Sequence, residues 1–286
     1  MPPERYATRF APSPTGYLHL GHAFSALTAE ARARAHRGRF LLRIEDTDRA
    51  RVRPAYDAAI LADLRWLGLT WDEPVLRQSA RGRAYTAALA RLARLGVLYP
   101  CRCTRAEIRA ALSAPQEGAA PAPAYPGTCR GRPMAGRGPQ DAIRLDIGRA
   151  LALAGQAADA ARLAFDETGP AFAGRHRLDP EALRRDPGDI VLSRRDIGPA
   201  YHLAVVVDDA FQGITEVVRG EDLFPATFVH VLLQALLGLP TPAYHHHRLI
   251  RDDRGRRLAK RDDARAIARY RAEGASPDDI RRLVGL

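Results

Sequence analysis

The sequence contains no asparagine and a single lysine, Lys260, although lysine and arginine together number 44. Arginine therefore occupies nearly every position at which a generic positive charge would suffice. An ammonium group is a compact point charge, whereas a guanidinium group is a wide planar fork, so a site that requires a point charge resists the exchange. Lys260 is thus a candidate functional residue, and chance survival of one lysine is the alternative.

Cysteine and long apolar runs are also scarce. Three cysteines in 286 residues cannot build a disulfide framework, and they fit a reducing compartment. No apolar stretch is long enough to span a bilayer, and the N-terminal "MPPERYATRF" lacks the apolar core of a signal peptide. These absences argue against disulfide-stapled and membrane-spanning classes and predict a cytoplasmic protein.

Acidic residues are in deficit, with 33 against 44 basic ones, which gives a formal net charge of +11. The isoelectric point near 10.3 predicts an anionic partner, and nucleic acid or a nucleotide leads that class. A compositional bias towards arginine is the alternative explanation. The length allows one large domain or two smaller ones.

The first 100 residues alternate between strand and helix patterns. "RYATRFAPS" predicts a strand that enters a loop, and "HLGHAFSALTAEARARAH" predicts a helix because Leu20, Phe24, Leu27 and Ala31 recur at helical spacing. "GRFLLRIEDTD" predicts a second strand, so the unit should form a parallel pair with a right-handed crossover. Two amphipathic helices are expected in "AYDAAILADLRWLGL" and "RAYTAALARLARLGV".

Residues 114–139 are dense in Pro, Gly and Ala, and strand character returns only at "DIVLSRRD". "YHLAVVVDDAFQGITEVVRGEDL" predicts two apolar strands, and "FPATFVHVLLQALLGL" predicts a helix. We therefore predict an α/β nucleotide-binding fold with an insertion. The expected divisions are 1–100 and 191–240 for the catalytic halves, 101–190 for the insertion, and 241–286 for a loop and a short helical C-terminus.

His19 and His22 bracket Gly21 at the point where the Pro- and Gly-rich loop "APSPTGYLHLGH" becomes a helix. The loop follows a predicted parallel strand, and ligands bind at the carboxyl ends of such strands. A helix N-terminus favours phosphate, and imidazole donors would add hydrogen bonds to phosphate oxygens. Gly21 has no Cβ, so a flat purine could lie against the backbone there. The sequence thus predicts a nucleotide site.

The stretch "RFAPSPTGYLHLGH" followed by "RIEDTD" resembles the start of glutamyl-tRNA synthetases, in which H-x-G-H is the first signature of class I. "RLAKR" at 257–261 resembles the second signature, K-M-S-K-S or K-L-S-K, and its lysine matches Lys260. The resemblance implies a Rossmann-type fold and a contact of Lys260 with the phosphates of Mg²⁺-bound ATP. Arg257 and Ala259 depart from the pattern.

The resemblance also implies a glutamate pocket. Glu45 would lie near the α-ammonium group, and Arg219 would form a bidentate contact with the side-chain carboxylate, a geometry that suits guanidinium. The implied glutamate-binding residues are Arg9, Phe10, Ala11, Pro12, Ser13, Glu45, Tyr201 and Arg219.

Cys101, Cys103 and Cys129 lie in or beside the loop-rich segment, and three thiolates suit tetrahedral zinc with a fourth ligand. No histidine occurs between His36 and His176, so Tyr125 is the local candidate, followed by Glu107 or water. Scattered unpaired thiols are the alternative. "CRCT" followed by Y-x-x-x-C resembles the structural zinc site of glutamyl-Q tRNA(Asp) synthetases. The run at 245–247 is expected to be structural, because consecutive side chains on a strand alternate faces.

The sequence ends about 25 residues after Lys260, whereas a full glutamyl-tRNA synthetase adds a large anticodon-reading domain. The resemblance therefore favours the glutamyl-Q family, in which ATP-activated L-glutamate is attached to queuosine in tRNA(Asp), and we expect a monomer with no membrane partner. Three alternatives stay open. They are a truncated conventional glutamyl-tRNA synthetase, a small-molecule nucleotidyltransferase, and a non-catalytic amino-acid- or tRNA-binding module.

Overall fold

A computed structural model describes residues 5–104, 107, 125–156, 163–195, 198–251 and 265–286. Its strands are β1 (Ala7–Phe10), β2 (Arg39–Ile44), β3 (Leu76–Arg77), β4 (Leu98–Cys101), β5 (Ala142–Leu145), β6 (Ala164–Glu167), β7 (Gly174–Arg177), β8 (Val191–Arg194), β9 (Gly198–Pro199), β10 (Glu216–Gly220) and β11 (Ala243–His247). Its α-helices are α1 (Leu20–Ala35), α2 (Pro54–Trp66), α3 (Gly82–Arg94), α4 (Ile147–Gln156), α5 (Pro180–Arg185), α6 (Tyr201–Phe211), α7 (Phe224–Leu237), α8 (Ile267–Ala272) and α9 (Pro277–Val284).

Two sheets with parallel strands lie edge to edge. The first has the order β1-β2-β3 and is parallel throughout; in the second, β10-β11-β6-β7, only the β6–β7 pair is antiparallel. Strand β10 lies beside β1, since the Thr215 N–H at its start donates to the Ala7 carbonyl. The β1-α1-β2 unit forms a parallel pair, as the sequence predicts, and the mixed α/β class is confirmed.

A third sheet, β4-β5-β8-β9, is antiparallel. It shares its core with two helices: Leu98 of β4 and Ile143 of β5 belong to the same buried cluster as Val205 of α6 and Leu233 of α7. Strands β6 and β7 fall within the range expected for the insertion, yet β6 pairs with β11, where Glu167 lies opposite Tyr244. The chain thus returns to the main sheet between β5 and β8.

The strand prediction for the first half of "YHLAVVVDDAFQGITEVVRGEDL" is wrong, because residues 201–211 form helix α6. Three consecutive valines favour a strand by intrinsic preference, but tertiary packing overrides such preferences. Here α6 packs against α7, and Asp208 and Asp209 are buried among arginines. The second half forms β10, as predicted.

The expectation that strand character returns only at "DIVLSRRD" is also wrong, because β5, β6 and β7 precede β8. The other predicted elements have their predicted types. Helix α7 ends at Gly238, whose φ of 59° is the left-handed conformation that glycine adopts without strain. Across the described ranges, no helix has both the length and the apolar character needed to cross a bilayer.

Candidate active site

A cavity of about 370 Å³ opens at the carboxyl ends of β1, β2, β10 and β11. This is the edge at which parallel sheets bind ligands. The lining includes every glutamate-pocket and first-signature residue singled out from the sequence: Arg9, Phe10, Ala11, Pro12, Ser13, His19, Gly21, His22, Glu45, Tyr201 and Arg219. The fold therefore brings together side chains that are up to about 210 positions apart in the sequence.

His19 and His22 together cap helix α1. Nδ1 of His19 accepts the Gly21 N–H at 3.1 Å, and Nδ1 of His22 accepts the His19 N–H at 3.2 Å. A neutral imidazole that accepts at Nδ1 carries its proton on Nε2, so each ring is a donor through Nε2. A Cβ at Gly21 would lie 3.1 Å from the His19 ring, which explains the glycine between them.

The second signature, with Arg257, Ala259 and Lys260, lies outside the described residues. The described residues on either side of it contact the cavity or the first signature. Ile250 lines the cavity before the signature. After the signature, Ala266 forms a β-bridge with His19, and the Ile267 N–H donates to the Leu18 carbonyl at 2.8 Å. Both described flanks of the second signature therefore meet the first signature or its cavity.

Arg219, at the end of β10, is 5% exposed and uses all five of its N–H donors. Nε donates to Nε2 of His246 at 3.0 Å, Nη1 to the Tyr201 hydroxyl at 3.3 Å and to Nδ1 of His230 at 3.2 Å, and Nη2 to the Leu223 carbonyl at 3.2 Å and to Oγ1 of Thr227 at 2.7 Å. None of these acceptors is a carboxylate, and within the described ranges no carboxylate pairs directly with this guanidinium.

The histidines around Arg219 are held neutral. Burial first, and then the charge of Arg219, lower the pKa of His202 to about 4 and the pKa of His230 well below its usual value. Burial and the same charge lower the pKa of His246. The result is a buried cation in contact with neutral groups at the cavity wall.

Arg9, Asp209, Arg43 and Glu45 form a chain of alternating charges, and the two ends of this chain line the cavity. Arg9 donates from Nε to Oδ1 of Asp209 at 2.8 Å, and Nη1 of the fully buried Arg43 donates to the same oxygen at 2.8 Å. Nη2 of Arg43 reaches Glu45 at 3.4 Å. Burial raises the pKa of Glu45, although the charges of Arg43 and Arg9 oppose that effect. A further positive charge in the cavity would therefore stabilise the ionised form of Glu45.

Sequence reasoning missed Arg43 and Asp209, and it took His246 for a purely structural residue. Arg43 lies within the apolar strand "FLLRI" and Asp209 within the apolar helix "VVVDDAF", and such buried charges signal an ion pair. The three histidines of β11 do contact different groups: His245 contacts Thr168, His246 contacts Arg219 and Glu167, and His247 contacts the Arg248 carbonyl. They form no common metal site in the described structure.

The three cysteines converge at the end of β4. Their sulfur atoms lie within 4.8 Å of one another, and Sγ of Cys103 is 3.5 Å from Sγ of Cys129. The Tyr125 hydroxyl lies 3.4 Å from Sγ of Cys101 and 3.3 Å from Sγ of Cys103. Glu107, the next candidate for a fourth ligand, instead accepts the Thr104 N–H at 2.6 Å. The geometry therefore gathers three thiols and one phenol.

The pKa values of two of these thiols diverge. Burial raises the pKa of Cys103 to about 11. Burial also opposes ionisation of Cys129, but hydrogen bonds from the Arg102 backbone N–H, Tyr125 and the other two thiols outweigh it and lower its pKa to about 7. The Cys129 thiolate therefore forms at a lower pH than that of an ordinary cysteine, even without a metal ion.

A family model matches residues 5–140 and 160–286. It describes the catalytic domain of the class I tRNA synthetases (E and Q). The glutamyl-Q tRNA(Asp) synthetase of Rhodobacter capsulatus is 60% identical over 285 residues, which cover 98% of this chain and 99% of that relative. The glutamyl-Q tRNA(Asp) synthetase of Nocardia farcinica is 47% identical over 278 residues, which cover 97% of this chain and 83% of that relative.

Among solved structures, a glutamate tRNA ligase from Elizabethkingia meningosepticum in complex with its amino acid matches with a TM-score of 0.75 and 28% identity. The match covers 99% of this chain and 61% of that ligase, so the chain spans about three fifths of its length. The resemblance inferred from the motifs is confirmed: the chain belongs to the class I tRNA synthetases for glutamate and glutamine and, within them, to the glutamyl-Q tRNA(Asp) synthetase family.

Proposed function

We propose that this protein activates L-glutamate with ATP and transfers the glutamyl group to queuosine in the anticodon of tRNA(Asp). The observation that carries the proposal is Arg219, a buried cation at the wall of a cavity whose other polar groups match the rest of the substrate. A buried charge without a counter-charge in direct contact is costly, and an anionic ligand removes that cost. The family membership supplies the nature of the acceptor.

The glutamate side-chain carboxylate binds beside Arg219 and Tyr201, where the guanidinium can exchange weak neutral acceptors for a charged one. Charge-assisted hydrogen bonds of this kind are about twice as strong as neutral ones. The α-ammonium group binds near Glu45, whose ionised form it favours, and Arg9 with the loop 10–13 completes that wall. The pocket then offers positive groups for the two carboxylates of glutamate and a negative group for its ammonium group.

ATP binds at the start of α1. His19 and His22 donate from Nε2 to phosphate oxygens, the adenine lies against the backbone at Gly21, and the helix N-terminus adds partial positive charge. Lys260 contacts the phosphates from the second signature; of its described flanks, Ile250 lines the cavity and Ala266 pairs with His19, which also lines it. Mg²⁺ accompanies ATP and neutralises part of the phosphate charge.

The first step joins the α-carboxylate of glutamate to the α-phosphorus of ATP, and the bond from that phosphorus to the bridging oxygen of pyrophosphate breaks. The glutamyl-adenylate that forms is a mixed anhydride. In the second step, a hydroxyl of the queuosine cyclopentene ring attacks the activated carbonyl, loses its proton and releases AMP. Alignment of the reactants and neutralisation of charge carry both steps, so no side-chain nucleophile is needed.

The cysteine cluster fits a structural zinc ion. Sulfur ligands at about 2.3 Å from a tetrahedral zinc ion lie ~3.8 Å apart, close to the 3.5 Å between Cys103 and Cys129. Cys101, Cys103, Cys129 and Tyr125 would hold the ion, and four protein ligands leave no position for water chemistry. Burial raises the pKa of the Tyr125 phenol, so the charge of the ion would be needed to ionise it.

The proposed function is tested in two assays. Glutamate-dependent ATP–pyrophosphate exchange without tRNA should be observed, and its absence would contradict the activation step. Labelled glutamate should then appear on tRNA(Asp) with queuosine, and not on the same tRNA with guanine at the wobble position. After nuclease digestion, the label should map to the anticodon fragment. Label on the 3′-terminal adenosine would identify a conventional glutamyl-tRNA synthetase activity instead.

A further inference from the structure

Glu167, the last residue of β6, has a fully buried side chain that accepts three hydrogen bonds, two from His246 and one from Gly169. Its Oε2 lies 2.5 Å from Nδ1 of His246, and its Oε1 accepts the backbone N–H groups of His246 at 2.9 Å and Gly169 at 2.6 Å. A Cβ at Gly169 would lie 2.2 Å from the His246 carbonyl oxygen. The close approach of the two backbones therefore requires glycine at 169.

This contact determines which ring nitrogen of His246 carries the proton. An ionised carboxylate is only an acceptor, so Nδ1 must be the donor, and the neutral ring then presents a lone pair at Nε2. That lone pair faces Nε of Arg219 at 3.0 Å. Glu167 thus acts on Arg219 through an oriented imidazole, without a direct contact between the two charges.

We propose that Glu167 and His246 form a positioning pair that fixes the orientation of Arg219 and thereby the selection of glutamate. The inference rests on the proposed function, in which Arg219 binds the side-chain carboxylate. Neither residue of the pair lines the cavity. Nε2 of His246 also lies 3.3 Å from Oγ1 of Thr227, which itself accepts from Arg219, so both contacts of this ring edge converge on Arg219.

The interposed ring explains how the site holds Arg219 and leaves it attractive to an anion. A direct carboxylate contact would neutralise the guanidinium and compete with substrate. A neutral acceptor at Nε fixes the plane of the fork, and the counter-charge lies one imidazole ring away. The arrangement follows the general role of carboxylates that orient histidines in functional sites.

Two substitutions of His246 separate the two edges of its ring. In His246→Gln the amide can place its oxygen where Nε2 lies and still accept from Arg219. In His246→Asn the shorter amide can donate to Glu167 but cannot reach Arg219. In Glu167→Gln the side-chain amide donates to Nδ1 of His246, so the ring proton moves to Nε2. Nε2–H and the Nε–H of Arg219 are then two donors that face each other.

In glutamate-dependent exchange, we expect His246→Asn and Glu167→Gln to raise the KM for glutamate ~10-fold or more, since each removes a hydrogen bond to a buried charge. The kcat at saturating glutamate should change much less. His246→Gln should stay within about threefold of the wild-type KM, and adding Glu167→Gln to it should have little further effect.

Glu216→Gln is the matched control. Glu216 is also a buried acid of the main sheet, but it binds Arg32 and Tyr6, so its substitution should lower thermal stability and leave the KM for glutamate unchanged. Equal KM values for His246→Asn and His246→Gln, or an unchanged KM for folded Glu167→Gln, would overturn the positioning role.

Nitrogen NMR of the imidazole rings provides a readout independent of activity. In the wild-type protein the His246 signals, identified by their loss in His246→Gln, should show a proton on Nδ1, and in Glu167→Gln a proton on Nε2. A wild-type proton on Nε2 overturns the pair even if the enzyme is active. If glutamate-dependent exchange is absent, the proposed function fails, and the same spectra still decide whether the pair orients Arg219. Should Glu167→Gln fail to fold, the wild-type spectrum and the two His246 variants decide the question.

Discussion

The Nε of Arg9 lies 2.8 Å from Oδ1 of Asp209, and the two side chains are 4% and 6% exposed. The same oxygen accepts a hydrogen bond from the fully buried Arg43. One carboxylate on α6 thus joins two guanidinium groups from the adjacent strands β1 and β2, one of which, that of Arg9, belongs to a residue that lines the cavity.

Asp209→Asn should destabilise the fold strongly, because it removes the charge of the carboxylate that two buried cations, Arg9 and Arg43, share. We expect the free energy of unfolding in urea to fall by about 3–5 kcal/mol. Asp57→Asn is the control: its pair with Arg77 has similar bidentate geometry but is partly exposed, and its loss should cost less than about 1 kcal/mol. Equal losses in the two variants would show that burial does not strengthen the Arg9 pair.

Arg219→Ala should raise the KM for glutamate steeply, since the substrate carboxylate would be buried without a cation. The expected penalty is about 2–5 kcal/mol, measured as kcat/KM in ATP–pyrophosphate exchange. Arg219→Lys should recover little of this loss, because three donors cannot serve the five acceptors around the guanidinium. Glutamine supplies the comparison: if the wild-type protein activates it as well as glutamate, the pocket has been misassigned.

Lys260→Ala should slow adenylate formation ~10²-fold or more, or about 3 kcal/mol, while the fold stays intact. The reason is the loss of a charge-assisted contact to phosphate oxygens whose charge grows in the transition state. Single-turnover adenylate formation measures the effect, and the far-UV circular dichroism spectrum monitors the fold. Lys260→Arg should restore only part of the rate, since the guanidinium fork does not reproduce a point charge. Exchange at the wild-type rate in Lys260→Ala would remove Lys260 from the site.

The protein purified without a histidine tag should contain about one zinc ion per chain. Cys129→Ser should lose the metal and lower the melting temperature, since a structural zinc ion contributes directly to folding. Tyr125→Phe should retain all three thiols and bind zinc more weakly. Elemental analysis that finds no metal in folded, active protein would rule the zinc site out.

Stability should fall as the pH drops below about 6.5. Unfolded histidines bind protons near pH 6.5, whereas burial lowers the pKa of His202, His230, His245, His246 and His247 in the folded protein. The unfolded chain therefore takes up more protons, and each extra proton costs the folded state up to ~1.4 kcal/mol per pH unit. The contribution of these histidines to the free energy of unfolding is complete above pH 6.5. It decreases as the pH falls, and for His202 the decrease continues to about pH 4.

Urea unfolding at pH 7.5 and pH 5.5 measures this dependence. His202→Asn removes one titrating group and should make the slope shallower. A free energy of unfolding that does not change between the two pH values would contradict the neutral histidines around Arg219.

The periodicity of the sequence predicted the β1-α1-β2 unit, and this prediction also located the loop that carries His19 and His22. It failed at α6, where three valines imitate a strand and only the packing against α7 decides the outcome. Burial on several sides does not explain the failure, since β1 is buried along its whole length and was predicted correctly. The strand preference of the valines explains it, because tertiary packing overrides that preference.

The sequence did not predict the contacts of Arg43, Asp209 and His246, and the reason is different. Each partner lies far away in the sequence: Asp209 is 200 positions from Arg9, and Glu167 is 79 positions from His246. A single sequence carries no signal that joins such distant positions. It does show charged residues inside apolar runs, a pattern that signals buried ion pairs without identifying the partners.

The capping of α1 by His19 and His22 has a consequence for binding kinetics and affinity. Both rings are oriented by backbone N–H groups, so their side-chain rotation is restricted when the protein folds and not when a nucleotide arrives. A phosphate that meets such rings encounters donors whose conformational entropy has already been lost. In the proposed function, the start of this helix therefore acts as a preorganised receptor for the phosphates of ATP, and the orientation of its rings before binding is a property of the folded chain itself.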